Sequence, residues 1–247
     1  FKKISLGADL GNLPVVDARV VAIDNRNQLW IGTISGLRVL SSVDRFLTDA
    51  QLTSNAIIIL ENGLAQELLY EQFITDIVVD GANNKWVGTA DSGVFQFSSD
   101  GQETLQRFTS SNSPLPSNGI NDIDINPTTG EVFFNTAQQM ASYRSTATSG
   151  ATPMQQINIF PNPIAPNYNG PIAMRGLVDN AIVKITSLNG KLIFQTRALG
   201  GQAIWDGKTY DGNTVATGIY LVFARDELGS EKAVGKVVKS RSEEVYV

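Results

Sequence analysis

The chain of 247 residues contains no cysteine and no histidine. Without cysteine it can form no disulfide, thiolate nucleophile or cysteine-ligated metal site. Without histidine it lacks the usual general base near neutral pH, a Ser-His-Asp triad and the commonest zinc ligand. Any catalysis would need paired carboxylates, Lys, Tyr or Ser-Lys chemistry. We predict no catalytic residue, no cofactor site and no metal site, and expect that the protein is not an enzyme.

Long apolar runs and excess positive charge are also missing. The longest apolar cluster, AIIIL at residues 56–60, has the length of a strand, whereas a membrane-spanning helix needs roughly 20 residues. Residues 1–154 carry 9 basic and 16 acidic side chains, which argues against a nucleic-acid partner because such proteins need a concentrated basic face. With 42% hydrophobic but only 17% charged residues, the composition favours β-sheets joined by many turns.

One segment of the chain occurs twice. DNRNQLWIGTISGL begins at Asp24, and DGANNKWVGTADSG begins at Asp80. Each is preceded by an apolar strand, and the Asp and Asn residues between the strands are typical of turns that bond their own backbone. We predict strands at 20–23, 29–32 and 37–40 in the first copy, and at 74–79, 85–88, 94–97 and 104–108 in the second.

A third, weaker copy follows in INDIDINPTTGEVFFNT, where Phe133 replaces the Trp. A four-stranded antiparallel meander is the blade of a β-propeller, so residues 1–146 are predicted to form about three such blades. Closed propellers need roughly four to eight blades. We therefore expect the C-terminal part of a larger propeller, in a chain that is a processed product or a fragment. The predicted blade-packing residues are Trp30, Gly32, Trp86, Gly88 and Phe133.

Two acidic patterns invite a metal or catalytic interpretation, and we favour a simpler one. Asp122 and Asp124 lie two apart on one predicted strand, where they could bind a cation or act as a glycosidase pair. Alternation on a wet sheet face explains them equally well. The stretch DGKTYDGN, residues 206–213, lacks the oxygen ligands of an EF-hand at its third and fifth positions and is predicted to be a turn.

The second half of the chain has a different pattern. Residues 147–156 are small and polar and are predicted to be a linker, and residues 157–247 contain about seven short strands separated by turns. That count and spacing favour an immunoglobulin-like β-sandwich. The predicted strands are 157–160, 172–177, 181–186, 191–196, 202–205, 218–223 and 233–238. In this fold Trp205 would be a core residue, and Tyr220 would bury its ring with its hydroxyl bonded to backbone.

Both halves resemble known families. The repeat D-x5-W-[IV]-G-T is similar to the propeller repeat of two-component regulators. The second half resembles the C-terminal sorting domain of the Bacteroidetes type IX, or Por, secretion system, through FPNP, ITSLNGKLI, GIYLV and KVVK in that order. The eight residues SRSEEVYV after Lys239 depart from that family, which usually ends near its last strand. The sorting-motif residues implied by the resemblance are Pro161, Asn162, Pro163, Gly190, Gly218, Tyr220, Lys236 and Lys239.

The two resemblances together predict a function. We expect a non-enzymatic binding or scaffold protein that is exported through the periplasm by type IX secretion, at the cell surface or secreted. It would engage the secretion machinery through the second half, as a component of that machinery or as a cargo, and an unknown protein or glycan through the propeller. The alternatives are the periplasmic sensor propeller of a hybrid two-component regulator and a secreted polysaccharide-active enzyme.

Overall fold

A computed structural model describes residues 2–7, 11–61, 63–229 and 232–241. The chain divides into two compact units, Phe1–Ser145 and Thr146–Val247, and both are built almost entirely from β-strands. The first unit contains, in chain order, β1 (Ala18–Ile23), β2 (Leu29–Thr33), β3 (Gly36–Leu40), α1 (Arg45–Thr48), β4 (Ile58–Glu61), β5 (Leu64–Glu67), β6 (Ile74–Val79), β7 (Lys85–Thr89), β8 (Val94–Phe97), β9 (Thr104–Phe108), β10 (Ile120–Asn126), β11 (Glu131–Thr136) and β12 (Met140–Arg144).

Three antiparallel sheets follow one another in the first unit, in the orders β1-β2-β3, β6-β7-β8-β9 and β10-β11-β12. The first two strands of each sheet pair with the same irregularity, a register shift that follows Ala18, Ile74 and Ile120 respectively. Because the shift recurs at the equivalent position, the three sheets are copies of one unit. The weak third repeat in the sequence is therefore a real structural repeat.

The expectation of four strands holds only for the middle sheet. In the first sheet the fourth position is reduced to Asn55, which exchanges two backbone hydrogen bonds with Val39. The chain between β3 and β6 instead forms the short helix α1 and the separate hairpin β4-β5, neither of which was predicted. In the third sheet the chain passes after β12 into the second unit.

The second unit is built from two sheets that share one apolar core. One sheet has the order β13-β14-β17 and the other the order β16-β15-β18-β19. Alternating residues of β15 and β18, among them Val183, Ile185 and Val222, are completely buried in that core. The strands are β13 (Asn158–Phe160), β14 (Ile172–Arg175), β15 (Ile182–Ser187), β16 (Leu192–Arg197), β17 (Gln202–Trp205), β18 (Gly218–Arg225) and β19 (Lys232–Lys239).

The segment predicted to be a linker lies against the second unit. The Ala151 amide donates to the Leu177 carbonyl and the Gln155 amide donates to the Gly176 carbonyl, over 2.8 and 2.9 Å. Ala147 and Thr148 are buried. Residues 147–156 are therefore held to the rest of the second unit by backbone hydrogen bonds and do not form a free tether. The predicted boundaries at 146 and 157 and the immunoglobulin-like topology stay predictions.

Candidate functional site

The turns that begin each Trp segment are built around an aspartate. Both Asp24 and Asp80 accept hydrogen bonds from the backbone amides two and four residues later, each over 2.9 Å. Asn27 and Asn83 take the left-handed conformation, with φ of 62° and 64°, which Asn tolerates better than most residues. The capping role expected for both aspartates is present in both turns.

Asp24 has a second role that the sequence did not reveal. Its carboxylate accepts a hydrogen bond from the Lys85 ammonium over 2.8 Å, and both side chains are completely buried. Lys85 lies on β7, so the ion pair joins the first sheet to the second. Asn83 strengthens this junction, because its side-chain oxygen accepts from the Asn25 amide over 2.8 Å and its nitrogen donates to Asp24 over 3.3 Å.

All three protons of the Lys85 ammonium have acceptors. Besides Asp24, they reach the carbonyl oxygens of Asn83 and Ser99 over 2.8 and 2.7 Å. The nitrogen also lies 4.6 Å from the centre of the Trp30 ring, where the ring face attracts a cation. Burial lowers the pKa of Lys85, and the Asp24 carboxylate opposes this effect. These contacts describe a structural ion pair between blades rather than a free reactive amine.

The pKa values of Asp24 and Asp80 are shifted in opposite directions. Burial tends to raise the pKa of Asp24, but the hydrogen bonds from Lys85, Gln28 and Arg26 outweigh burial and hold the pKa below its ordinary value. Asp80 forms no ion pair among the described residues, and burial raises its pKa despite hydrogen bonds from Asn84, Ala82 and Gln96. The Asp80 carboxylate also accepts from the Trp86 indole over 3.3 Å.

The two repeat tryptophans lie in the apolar packing between neighbouring sheets. Trp30 and Trp86 are 1% and 0% exposed. Trp30 lies on β2 and shares an apolar cluster with Ile77 and Val87 of the next sheet. Trp86 lies on β7 and shares another cluster with Ile123 and Phe134 of the sheet after it. Neither ring is available to a ligand.

The glycines two residues after each Trp allow the next sheet to approach. A Cβ atom on Gly32 would lie 2.6 Å from Cγ2 of Ile74, and one on Gly88 would lie 2.8 Å from Cγ2 of Ile120. Ile74 and Ile120 are the first residues of β6 and β10 and are buried. The predicted role of both glycines in blade packing has a direct geometric basis.

Replacing Gly32 with Ala is expected to lower the free energy of unfolding of the first unit by about 1–3 kcal/mol, because the new methyl group would clash with buried side chains. Calorimetry of the whole chain measures this. In an Ile74→Ala background the same Gly32→Ala change should cost less, because the two sites are in contact. Equal costs in both backgrounds would contradict the contact as the cause.

Phe133 occupies the position of the tryptophans by register but not by burial. It pairs with Asp124 as Trp86 pairs with Val78, yet it is only half-buried. The neighbouring Phe134, which points to the other sheet face, is 3% exposed and packs on Trp86 with ring centres 5.8 Å apart. The face that carries Phe133 is turned away from the middle sheet.

Asp122 and Asp124 lie on the exposed face of β10. Asp124 accepts from the amide of Ile125 over 2.8 Å, as Asp76 does from Ile77. Within the described ranges, no group of three or more Asp or Glu side chains is arranged to hold a metal ion. The two aspartates are compatible with the wet-face interpretation that the sequence favoured.

In the second unit, the FPNP and KVVK motifs meet in space. The Asn162 side chain donates to the Lys236 carbonyl over 2.8 Å and accepts from the Val238 amide over 3.0 Å. Backbone bonds extend this pairing, because Ile164 donates to Val238 and accepts from Ser240. Asn162 thus imitates a backbone unit along the edge of β19, with Pro161 and Pro163, which have no amide hydrogen, on either side.

The GIYLV and LNGK motifs lie in the same unit. The Tyr220 hydroxyl donates to the Ala216 carbonyl over 2.8 Å, and its buried ring meets the edge of Trp205 at 6.0 Å, as expected from the sequence. Gly218 begins β18. Gly190 has a φ of 84° in the turn between β15 and β16, a conformation that favours glycine.

The two lysines of KVVK point in different directions. Lys236 is exposed, whereas Lys239 is 8% exposed and donates to the Val215 carbonyl over 3.0 Å. The sequence placed both in one motif and could not separate them. Sequence reasoning also missed Asn83 and Lys85, whose contacts cross between sheets. Asn83 repeats Asn27 at the same place in the turn, which was the one available signal.

The second unit is similar to a known class of targeting domain. Residues 158–240 match the secretion system C-terminal sorting domain. Such a domain of type IX secretion indicates export to the cell surface or secretion. Among the described residues, no helix has both the length and the hydropathy needed to span a membrane.

One solved structure resembles this chain over both units. The chain is similar to PorZ, an essential bacterial surface component of the type IX secretion system of Porphyromonas gingivalis, with 29% identity and a TM-score of 0.61 over 91% of this chain. The chain spans 30% of the PorZ chain. No curated protein sequence matches this chain. The PorZ likeness confirms the all-β class with propeller-type blades.

Lower scores relate the chain to extracellular domains of regulators from B. thetaiotaomicron. One, from a hybrid two-component system, is 14% identical with a TM-score of 0.45 and aligns over 95% of this chain and 45% of its own. Another, from a one-component system, is 11% identical with a TM-score of 0.35, over 93% and 50%. The resemblance of the second half to sorting domains that the sequence motifs indicated is confirmed by the match over residues 158–240.

Proposed function

We propose that this chain is part of a non-enzymatic surface protein that acts by binding or as a scaffold, as a PorZ-like component of the type IX machinery. The observation that carries the proposal is the joining of FPNP and KVVK through Asn162, which supports an intact sorting domain. The likeness to PorZ across both units supports a role at the cell surface. The propeller would supply the binding surface for a protein or glycan.

The proposal is tested in a Bacteroidetes strain that has a working type IX system. The chain, preceded by the leader of an exported protein and carrying an epitope tag, is followed by fractionation and by protease treatment of intact cells. We expect tagged protein at the surface or in the medium, and periplasmic retention when residues 158–240 are deleted or when the translocon is inactivated. Surface delivery of the deletion variant would refute the sorting role.

The non-enzymatic character and the role in the secretion machinery are tested separately from export. Turnover of any member of a polysaccharide panel by the surface-delivered protein would overturn the non-enzymatic part of the proposal. Complementation of a strain that lacks its own PorZ, by the full-length gene product that contains this chain, tests the machinery role. We expect secretion of other type IX cargo to be restored. If the protein is exported but does not restore that secretion, it is a cargo of the machinery and not a component.

We also propose that residues 1–146 belong to a larger propeller. Val21 and Ile23 of β1 are 61% and 59% exposed, whereas Ile77 and Ile123, which occupy the position of Val21 in the next two sheets, are each 4% exposed. A row of exposed apolar residues on one face of a sheet favours cover by another sheet. Peptide mapping of the surface protein should detect further Trp repeats upstream of Phe1.

A further inference from the structure

A small cavity in the second unit lies between two loops that both reach β19. One wall is the segment that follows FPNP, which is bridged to Lys239 through Ile164. The other is the turn after β17, closed by the bridge between Lys208 and Thr214. The cavity has a volume of about 170 Å³. Its buried floor contains Ile164, Ile172 and Lys239, and its exposed rim contains Tyr168, Asp206 and Lys208.

Lys239 lines this cavity, and its ammonium is incompletely partnered. Its ammonium has three donors, and it donates to the Val215 carbonyl over 3.0 Å. Within the described part of the chain Lys239 has no carboxylate in an ion pair. The contrast with Lys85, which has two carbonyls and a carboxylate, is direct. A buried cation with one neutral acceptor is costly, so an anionic acceptor would be stabilised there.

The rim does not cancel this charge. Asp206 accepts a hydrogen bond from the Lys208 amide over 3.0 Å, and its carboxylate lies 3.8 Å from the Lys208 ammonium. The Tyr168 hydroxyl is bonded to the Pro171 carbonyl over 2.9 Å. The acid and base of the rim therefore neutralise each other, and the lining as a whole keeps the positive charge of Lys239.

We propose that this cavity binds an oxyanion, a carboxylate or a phosphate, which accepts hydrogen bonds from the Lys239 ammonium. The small volume suits a single such group rather than a sugar chain. The group could be an acidic side chain of a protein that receives the sorting domain, or a phosphate of a small molecule. The site is a property of the folded second unit and does not require that the proposed role in secretion is correct.

Binding is tested with the whole chain by measuring Tm against increasing sodium acetate or sodium phosphate at constant ionic strength, balanced with sodium chloride. A third titration uses an acetylated and amidated Gly-Asp-Gly peptide, whose only carboxylate is the Asp side chain. We expect a saturable rise in Tm with at least one probe, because a ligand that binds only the folded state stabilises it. Acetate and peptide would indicate a protein carboxylate as the source, and phosphate alone would indicate a phosphate.

Two matched variants separate a site from a general salt effect. Lys239→Met should weaken binding at least tenfold, whereas Lys236→Met, three residues away on the same strand and exposed, should leave binding unchanged. If Lys239→Met does not fold, the ammonium resonance of Lys239 in the unaltered chain is followed by NMR during the same titrations. Equal responses of the two variants, or no saturable change in Tm or resonance, would overturn the proposal.

Discussion

Replacing Lys85 with Met is expected to lower the free energy of unfolding of the first unit by about 3–5 kcal/mol, because it leaves the Asp24 carboxylate buried without its counter-charge. Asp24 and Lys85 are 2.8 Å apart and neither side chain is exposed. The change also removes donors from the carbonyls of Asn83 and Ser99, which would be left without these bonds. Calorimetry or denaturant unfolding of the whole chain measures the loss.

A second variant identifies the cause of this loss. Lys85→Met combined with Asp24→Asn should be more stable than Lys85→Met alone by about 2 kcal/mol, since the uncompensated charge is gone. Arg19→Met is the control, because the Arg19–Asp17 pair has a similar separation of 2.7 Å but is 50% and 40% exposed. Such surface pairs contribute about 0–1 kcal/mol. A comparable loss in Arg19→Met would contradict burial as the reason.

The dependence of the Lys85→Met effect on pH follows from the Asp24 pKa. In the unaltered chain that pKa is below its ordinary value, so Asp24 stabilises the fold above the unfolded pKa of about 3.9 and loses this effect as the pH falls through the folded pKa. Without Lys85, burial should raise the Asp24 pKa, and the variant should lose stability as the pH rises above about 4. The difference between the two proteins should therefore grow from acid to neutral pH.

Local patterns in the sequence predicted the strands well. The strands at Ile74–Val79, Val94–Phe97, Thr104–Phe108 and Gln202–Trp205 were placed at their observed ends. Their bounds are determined by alternation and by turn residues, both of which act over a few neighbours. The hairpin β4-β5 was missed because Ile58, Leu60 and Leu64 are 51–79% exposed, so its apolar residues do not follow a buried face.

Contacts between sheets were much harder to predict. The sequence indicated that Asp24 caps its own turn, and this is correct, but its pairing with Lys85 joins residues that are 61 positions apart. A lysine before a repeat Trp is ordinarily an exposed residue. Lys85 is buried because the turn of the preceding sheet brings a carboxylate to it, and that depends on how the sheets stack. The joining of Asn162 to β19 was hidden for the same reason.

At Phe133, the position of a residue in the repeat does not predict its burial. The register of Phe133 agrees with that of Trp30 and Trp86. Burial depends on a following sheet, however: Trp30 and Trp86 each pack against one, whereas β10-β11-β12 is the last of the three repeated sheets in the first unit. The core contribution of this strand comes from Phe134, which packs back onto Trp86 and Phe108 with ring centres 5.8 and 6.1 Å away.

The second large loss of stability is expected at Trp86, the buried counterpart of Phe133. Trp86→Ala is expected to lower the free energy of unfolding of the first unit by about 3–5 kcal/mol, the usual cost of removing a large buried aromatic side chain. Trp86 is completely buried, donates to Asp80 over 3.3 Å and contacts Phe108, Phe134 and Tyr143 at ring distances of 5.8–6.2 Å. Loss of the Trp86 ring would leave a cavity between the second and third sheets.

Phe133 and Phe134 provide a matched pair on one strand for the same measurement. Phe134→Ala should cost about 3–5 kcal/mol, and Phe133→Ala roughly 1 kcal/mol, because a half-buried ring removes less apolar area from water. Equal costs would show that the Phe133 face is covered in solution, for instance by another copy of the chain. In a longer gene product with a following sheet on that face, Phe133→Ala should approach the cost of Phe134→Ala. Comparing the two lengths therefore tests whether the ring continues.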